Sequence, residues 1–171
     1  MLICAIRGQA LVDWFNGISV KIKIAWIGKT KEPAIQSLTD EYLKRLARYA
    51  DTEGIALKDE PTLLKLCGRQ ARPVRHTLVL LDSRGKQLSS EEFAEFLGNH
   101  QDRNPSPLLF AVGPANGFTA ETRQEANLLL CLGKMTLAHE IARVVLLEQL
   151  YRAFTILKGH PYHLGHTDVG H

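Results

Sequence analysis

The sequence contains little cysteine and no long apolar segment. Its three cysteines are Cys4, Cys67 and Cys131. An odd, scattered set without a CxxC pair argues against a disulfide framework or a cysteine-bound zinc ion, and it is typical of a reducing compartment such as the cytoplasm, where we expect the protein to reside. No apolar stretch reaches the roughly 18 residues of a membrane-spanning helix, so we expect no membrane association.

Two common phosphate-binding motifs are missing as well. The sequence has neither GxGxxG nor GxxxxGK[ST], which makes an enzyme dependent on a nicotinamide dinucleotide the weakest of the alternatives. Charge of one sign is also scarce, because the net charge is only +3 over 171 residues. Such a mildly basic balance is compatible with binding to RNA but does not establish it.

The first nineteen residues lack the order of a signal peptide. Arg7, Asp13 and Asn16 interrupt their apolar character, and no basic segment precedes a continuous apolar one. A strand-like pattern starts at Val20. We therefore interpret residues 1–19 as an appendage from a mis-assigned start, with Val20 as the true initiator, and residues 20–171 as one domain.

From Val20 onward, apolar patterns of strand and helix type alternate along the chain. Continuous apolar runs at 76–82 and 107–112 are typical of buried parallel strands. Ser89 and Glu92 have the spacing of a capping box, and Thr119 can cap a further helix. The order predicts an α/β fold with a mainly parallel sheet and helices on both faces. We expect strands over 20–28, 53–58, 76–82, 107–112 and 128–132, and helices over 32–49, 61–67, 90–98, 120–127 and 140–158.

Three loops follow apolar strands and are candidates for a binding site. They are Asp82–Lys86, Gly113–Phe118 and Gly133–His139. Ligands of open parallel sheets bind at the carboxyl ends of the strands, so these loops are expected to meet at one pocket. Each also has an ordinary explanation, because the glycine loop could be a plain strand-to-helix turn and the third loop a helix entry.

The long final helix mixes apolar and charged residues. Glu148 and Arg152 are spaced to pair on one helix face, either as a solvated salt bridge or, with Arg143 and Gln149, as a polar strip facing a partner subunit or RNA phosphate. Apolar residues on the same helix indicate that the protein dimerises through it; these are Val144, Val145, Tyr151 and Phe154.

The tail concentrates histidine around a tyrosine. His160, Tyr162, His163 and His166 lie within seven positions. Three histidines could bind zinc, but no cysteine or acid with suitable spacing accompanies them, so we predict no metal site. A cluster of histidine and tyrosine is also suited to stacking on a base and hydrogen bonding to its edges.

Taken in order, these motifs resemble the ribosomal RNA large-subunit methyltransferase H family. The resemblance covers residues 20–163 and depends on the ordered set, not on any one motif. It is carried by residues 28–31, 41–46, 112–118, 135–139, Arg143, 148–154 and 160–163.

The resemblance implies a SPOUT-type α/β domain with a C-terminal trefoil knot. It further implies a homodimer that uses S-adenosyl-L-methionine to methylate N3 of a pseudouridine in large-subunit (23S) ribosomal RNA on the assembled ribosome. The implied cofactor-binding residues are Leu81, Gly113, Pro114, Gly133, Lys134, Met135, Thr136, Leu137 and Ala138. The implied catalytic and RNA-contacting residues are His139, Glu148, Arg152, Tyr162 and His163.

This chain departs from the family pattern at two positions. Pro114 stands where the family usually has a second glycine, so that position offers no backbone N–H. Leu164 stands where a basic residue usually follows the His-Pro-Tyr-His motif. Because an imide N3 must lose its proton before it accepts a methyl group, His139 or His163 is the candidate base.

Two alternatives stay open on the sequence alone. A SPOUT methyltransferase could act on a transfer RNA or on a ribose 2′-hydroxyl, and a ribosome-binding factor without catalysis would keep the basic face without a cofactor pocket. The candidate phosphate contacts, each of which could equally be part of a solvated helix face, are Lys29, Lys31, Lys44, Arg45 and Arg48.

Overall fold

A computed structural model describes residues 20–67, 75–104 and 106–160. The predicted appendage at 1–19, Tyr162 and His163 of the tail, and Leu164 lie outside the described residues. Strands and helices alternate in the order β1 Lys21–Ile27, α1 Pro33–Leu46, β2 Asp51–Leu57, α2 Glu60–Cys67, β3 Thr77–Gln87, α3 Ser90–Arg103, β4 Leu108–Val112, α4 Ala120–Glu125, β5 Leu128–Cys131 and α5 His139–Leu157.

The strands form one sheet in the order β2-β1-β4-β3-β5, and every neighbouring pair is parallel. This confirms the predicted α/β class. Because β3, β4 and β5 are adjacent and point the same way, their carboxyl ends meet at one edge of the domain. The trefoil knot stays a prediction.

Helices cover both faces of the sheet. Along β4 every residue is buried, with Phe110 packed in one apolar cluster beside Leu46 of α1 and Leu147 of α5, and Leu109 in a second cluster beside Leu63 of α2. Side chains of a strand alternate between faces, so a continuous apolar run needs cover on both. The predicted two-faced packing is confirmed.

Strand β3 continues further than predicted. The loop expected at Asp82–Lys86 is a bulge, and pairing with β5 resumes at Lys86 after a register shift that follows Leu81. A Cβ added to Gly85 would lie 2.5 Å from the backbone carbon of Leu129, so only glycine lets the strands approach this closely. The polar residues of the run therefore sit in a bulge, while the backbone still belongs to the sheet.

Helix α3 starts as predicted and ends later. Ser89 and Glu92 form the expected capping box, but the helix continues to Arg103 instead of stopping near residue 98. Gly98 weakens a helix locally, yet here it faces Leu157 of α5, 3.1 Å from where its Cβ would be. Buried His100 bonds to the Ser106 carbonyl oxygen at 2.8 Å, so tertiary contacts extend the helix.

Two expectations for α5 were wrong. Arg143 does not belong to a polar strip, because it is 1% exposed and its guanidinium carbon lies 4.3 Å from the centre of the Trp26 ring. Phe154 is buried and stacks on Tyr49 with ring centres 5.9 Å apart, so it serves the chain's own core and not a dimer interface. In the described part of the chain, the helices are too short or too polar to cross a membrane.

Candidate functional site

A cavity of about 360 Å³ lies where the three predicted loops meet. It opens at the carboxyl ends of β4 and β5 and at the bulge of β3. Its wall contains backbone from glycine-rich loops, apolar side chains and a few charged groups. The lining residues are Leu81, Asp82, Ser83, Arg84, Val112, Gly113, Pro114, Ala115, Asn116, Gly117, Arg123, Leu130, Cys131, Leu132, Gly133, Met135, Thr136, Leu137, His139 and Ala142.

Most residues that the resemblance assigns to the cofactor line this cavity. Lys134 and Ala138 are exposed and belong to the third loop, but they are not part of the lining. The predicted cofactor residues that do line it are Leu81, Gly113, Pro114, Gly133, Met135, Thr136 and Leu137.

The loop after β4 is a tight turn. The Gly117 N–H donates to the Pro114 carbonyl oxygen at 2.9 Å, and Gly117 has φ +76°, a conformation that favours glycine. Pro114 therefore contributes an acceptor to the turn. A Cβ on Gly113 would meet the Phe118 ring at 3.0 Å, so its small size is required by the core beneath the loop.

The loop after β4 is also held from α2. One Glu60 carboxylate oxygen accepts hydrogen bonds from the Thr119 N–H at 3.1 Å, the Thr119 hydroxyl at 2.8 Å and the Thr122 hydroxyl. Burial would raise the pKa of Glu60, but these hydrogen bonds outweigh it and hold the pKa below its ordinary value. Thr119 caps α4 as predicted, with its hydroxyl accepting from the Thr122 N–H.

The bulge of β3 is fixed by a carboxylate. Asp82 accepts from the Arg84 N–H at 2.9 Å and from Arg123 Nε at 2.6 Å. Burial raises the pKa of Asp82, while the bonds from Arg123 and Arg84 lower it and prevail. This ion pair joins the bulge to α4, although the sequence analysis gave Arg123 no role. The sequence of a short polar helix does not indicate such an ion pair, because the partner of Arg123 is 41 positions away.

The third loop is anchored by smaller contacts. Cys131 donates its thiol hydrogen to the Gly133 carbonyl oxygen at 3.0 Å, and Gly133 has φ +150°. Glu140 accepts from the Lys31 N–H at 2.8 Å, which ties the start of α5 to the loop after β1. Both ends of the loop, where it leaves β5 and where it enters α5, are therefore held in place.

Of the predicted catalytic residues, His139 reaches the cavity. It is the first residue of α5 and lines the cavity directly after the third loop. Glu148 and Arg152 pair as predicted, with Arg152 Nη2 donating to Glu148 Oε1 at 2.8 Å. They are not in the cavity lining, because Glu148 lies nine positions along the helix from His139, or roughly 13 Å. Tyr162 and His163 lie outside the described residues.

The candidate phosphate contacts are not equivalent. Lys29, Lys31, Lys44 and Arg48 are exposed, whereas Arg45 is half-buried. Arg45 Nε donates to Glu41 at 2.8 Å and its guanidinium lies over the Tyr42 and Tyr151 rings. Within the described ranges, no group of three histidine, cysteine or acidic residues is placed to hold a metal ion.

Fold and site together define a class. The sequence of residues 20–163, which forms this α/β sheet and its strand-end cavity, matches the family described as "Predicted SPOUT methyltransferase". The chain belongs to this family and is therefore a methyltransferase.

Relatives narrow the class to one group. The chain is 58% identical over 147 residues to "Ribosomal RNA large subunit methyltransferase H" of Koribacter versatilis, covering 86% of this chain and 100% of that protein. A protein of that name from Trichlorobacter lovleyi is 42% identical over 152 residues, covering 84% of this chain and 99% of that protein. The resemblance to the ribosomal RNA large-subunit methyltransferase H family is thereby confirmed.

Solved structures share the fold at low identity. The AviRb SpoU methyltransferase of Streptomyces viridochromogenes, crystallised with AdoMet, superposes with a TM-score of 0.50 at 14% identity, covering 82% of this chain and 60% of that one. A probable methylase family protein of Haemophilus influenzae gives a TM-score of 0.54 at 15% identity, covering 84% of this chain and 70% of that one.

Proposed function

We propose that the protein transfers a methyl group from S-adenosylmethionine to N3 of a pseudouridine in large-subunit (23S) ribosomal RNA, on the assembled ribosome in the cytoplasm. The observation that carries the proposal is the convergence of three strand-end loops on one cavity that His139 also lines. The printed name of the relatives, which specifies large-subunit ribosomal RNA, supports the choice of substrate.

The cavity suits an adenosine with a charged tail. Apolar side chains such as Leu81, Leu132 and Leu137 can cover the faces of a purine, and loop backbone between Gly133 and Leu137 offers donors and acceptors to its edge. The lining also contains charged groups, among them Arg123. When bound, S-adenosylmethionine supplies an activated methyl group on a sulfonium.

The residues of this chain then have two tasks. Loops anchored by Asp82, Glu60 and Cys131 hold the site in one geometry, and alignment of reacting groups accounts for much of the rate of a direct displacement. His139 is the candidate to accept the proton of the uracil imide, because an imidazole nitrogen can act as a general base and this one lines the cavity.

We propose that the active enzyme is a homodimer. Glu148 and Arg152 lie beyond the cavity wall of their own chain, and several large apolar side chains on α1, the third loop and α5 are exposed to solvent. Burial of such side chains against a second copy is favourable. They are Leu38, Met135, Leu137 and Ile141. Light scattering at micromolar concentration is expected to give twice the chain mass, and a monomer would contradict this part of the proposal.

Nucleoside mass spectrometry tests the reaction. Large-subunit ribosomal RNA from a strain lacking the gene should lose 3-methylpseudouridine and regain it when the gene is restored. His139→Ala should fail to restore it, whereas Arg103→Ala, an exposed change on α3, should restore it fully. Loss of a methylated transfer RNA base or ribose would redirect the proposal to another SPOUT substrate, and an unchanged nucleoside profile would favour a ribosome-binding factor without catalysis.

A further inference from the structure

Arg123 projects into the cavity from α4, between two of the loops that form it. Its side chain is 21% exposed and lines the cavity. Its Nη2 atom lies 3.7 Å from the position that a Cβ of Gly117 would occupy. Since Gly117 has no side chain, that face of the guanidinium is uncovered. The loop after β4 and the bulge of β3 thus frame this charge on both sides.

Asp82 holds the Arg123 guanidinium in place. Its side chain is 4% exposed, and it binds Arg123 through Nε at 2.6 Å. Its second carboxylate oxygen accepts the Arg84 N–H. The described residues provide no hydrogen-bond acceptor to the two Nη atoms of Arg123. An arginine held through Nε presents those two nitrogens as a parallel pair of donors, which matches the geometry of a carboxylate.

The chemistry of the other cavity groups narrows the ligand. Arg84, the second guanidinium of the lining, is exposed, whereas Arg123 is held by Asp82. A fixed cation in a cavity of about 360 Å³ suits an anionic group of a small molecule. An S-adenosylmethionine tail carries one anionic group, its α-carboxylate.

We propose that Arg123 binds the α-carboxylate of the methionine portion of S-adenosylmethionine, and that Asp82 is the residue that positions it. The inference depends on the proposed cofactor. It adds a specificity contact formed by a residue outside the three loops.

Calorimetry with two ligands that differ by one carboxylate tests the contact without requiring methyl transfer. S-adenosylhomocysteine carries the carboxylate, and S-adenosyl-3-thiopropylamine keeps the adenosine, the thioether and the amine but lacks it. The wild-type chain should bind the first more tightly. Arg123→Met should weaken S-adenosylhomocysteine about 10- to 100-fold, as expected for a charge-assisted pair, and leave the decarboxylated ligand unchanged.

Matched variants separate this contact from general effects of charge. Arg84→Met, in the same lining, and Arg103→Met, on α3, should leave the ratio of the two affinities as in the wild type. Asp82→Asn should weaken S-adenosylhomocysteine selectively but less than Arg123→Met does. If Arg123→Met fails to fold because Asp82 is left unpaired, the double variant Asp82→Asn/Arg123→Met replaces it.

Three results would overturn the inference: equal binding of both ligands by the wild type, an equal loss of both in Arg123→Met, or a selective loss in Arg84→Met instead. Wild-type protein that binds neither ligand would contradict the proposed cofactor. This outcome differs from the other three, because there is then no ratio of affinities to compare.

Discussion

Two regions of the domain are held together by different forces. The polar wall, formed by Glu60, Asp82, Thr119, Thr122 and Arg123, fixes the cavity loops through hydrogen bonds and one ion pair. The aromatic seam is formed by Trp26, Tyr42, Tyr49, Tyr151 and Phe154. Ring contacts join α1 and the turn after it to α5, and Trp26 of β1 contacts α5 through the Arg143 guanidinium.

Arg123 and Arg143 illustrate the difference between the polar wall and the aromatic seam. Arg123 has a carboxylate partner and its free edge faces a cavity, whereas Arg143 is buried over Trp26 with Nε and Nη2 lacking any hydrogen-bond partner in the described structure. Burial lowers the pKa of Arg143, partly opposed by Glu140 and Asp40. Hydrogen bonds determine geometry at the wall, while packed surface determines stability at the seam.

The largest expected effect is at the seam. Phe154→Ala should reduce the free energy of unfolding by about 3–5 kcal/mol, because a buried ring stacked on Tyr49 leaves a cavity when removed. Urea denaturation measures it. Lys44→Ala, at an exposed position of α1, is the control and should cost less than about 1 kcal/mol. Similar costs for both changes would remove the seam as the main source of stability.

The polar wall should give a smaller effect that depends on pH. The folded-state pKa values of Asp82 and Glu60 lie below the ordinary carboxyl value of about 4, so their contribution is complete above that pH and declines as the pH falls through and below it. Asp82→Asn should cost about 1–3 kcal/mol at pH 7.

At acidic pH the difference in stability between wild type and Asp82→Asn should become smaller. By pH 3 the gap between wild type and Asp82→Asn should narrow, and urea denaturation at both pH values measures the change. Asp102→Asn, at an exposed position of α3, should show no such narrowing. A gap that stays constant from pH 7 to pH 3 would mean that the ion pair does not titrate as described.

The smallest expected effect sharpens the contrast between the arginines. Arg143→Met should change stability by less than about 1 kcal/mol or increase it, because it removes a buried charge with unpaired donors while keeping an apolar chain over Trp26. Arg143→Lys should be less stable than Arg143→Met, since it keeps the charge and loses the planar contact. Thermal unfolding of the three proteins gives the order, and a more stable lysine variant would contradict this account.

Local patterns predicted the elements well where one physical cause dominates. The capping box at Ser89, the cap of α4 at Thr119 and the apolar run of β4 each depend on neighbouring residues. The predictions for the end of α3 and for the course of β3 were wrong. Contacts with Leu157 and Leu129 outweigh the local effects of Gly98 and Gly85. The loops of the site were predicted from strand ends, but Arg123 was not, since no local pattern marks a partner 41 residues away.

The sequence by itself determined the alternation of strands and helices, the parallel sheet and the loops at the strand ends, because apolar periodicity and glycine positions act over a few residues. Only the tertiary structure decided which charged groups are buried. It paired Arg123 with Asp82 beside the cavity, stacked Arg143 on Trp26 and turned Phe154 into the core. Burial and charge pairing depend on residues far apart in the chain, and the folded domain alone brings them within contact distance.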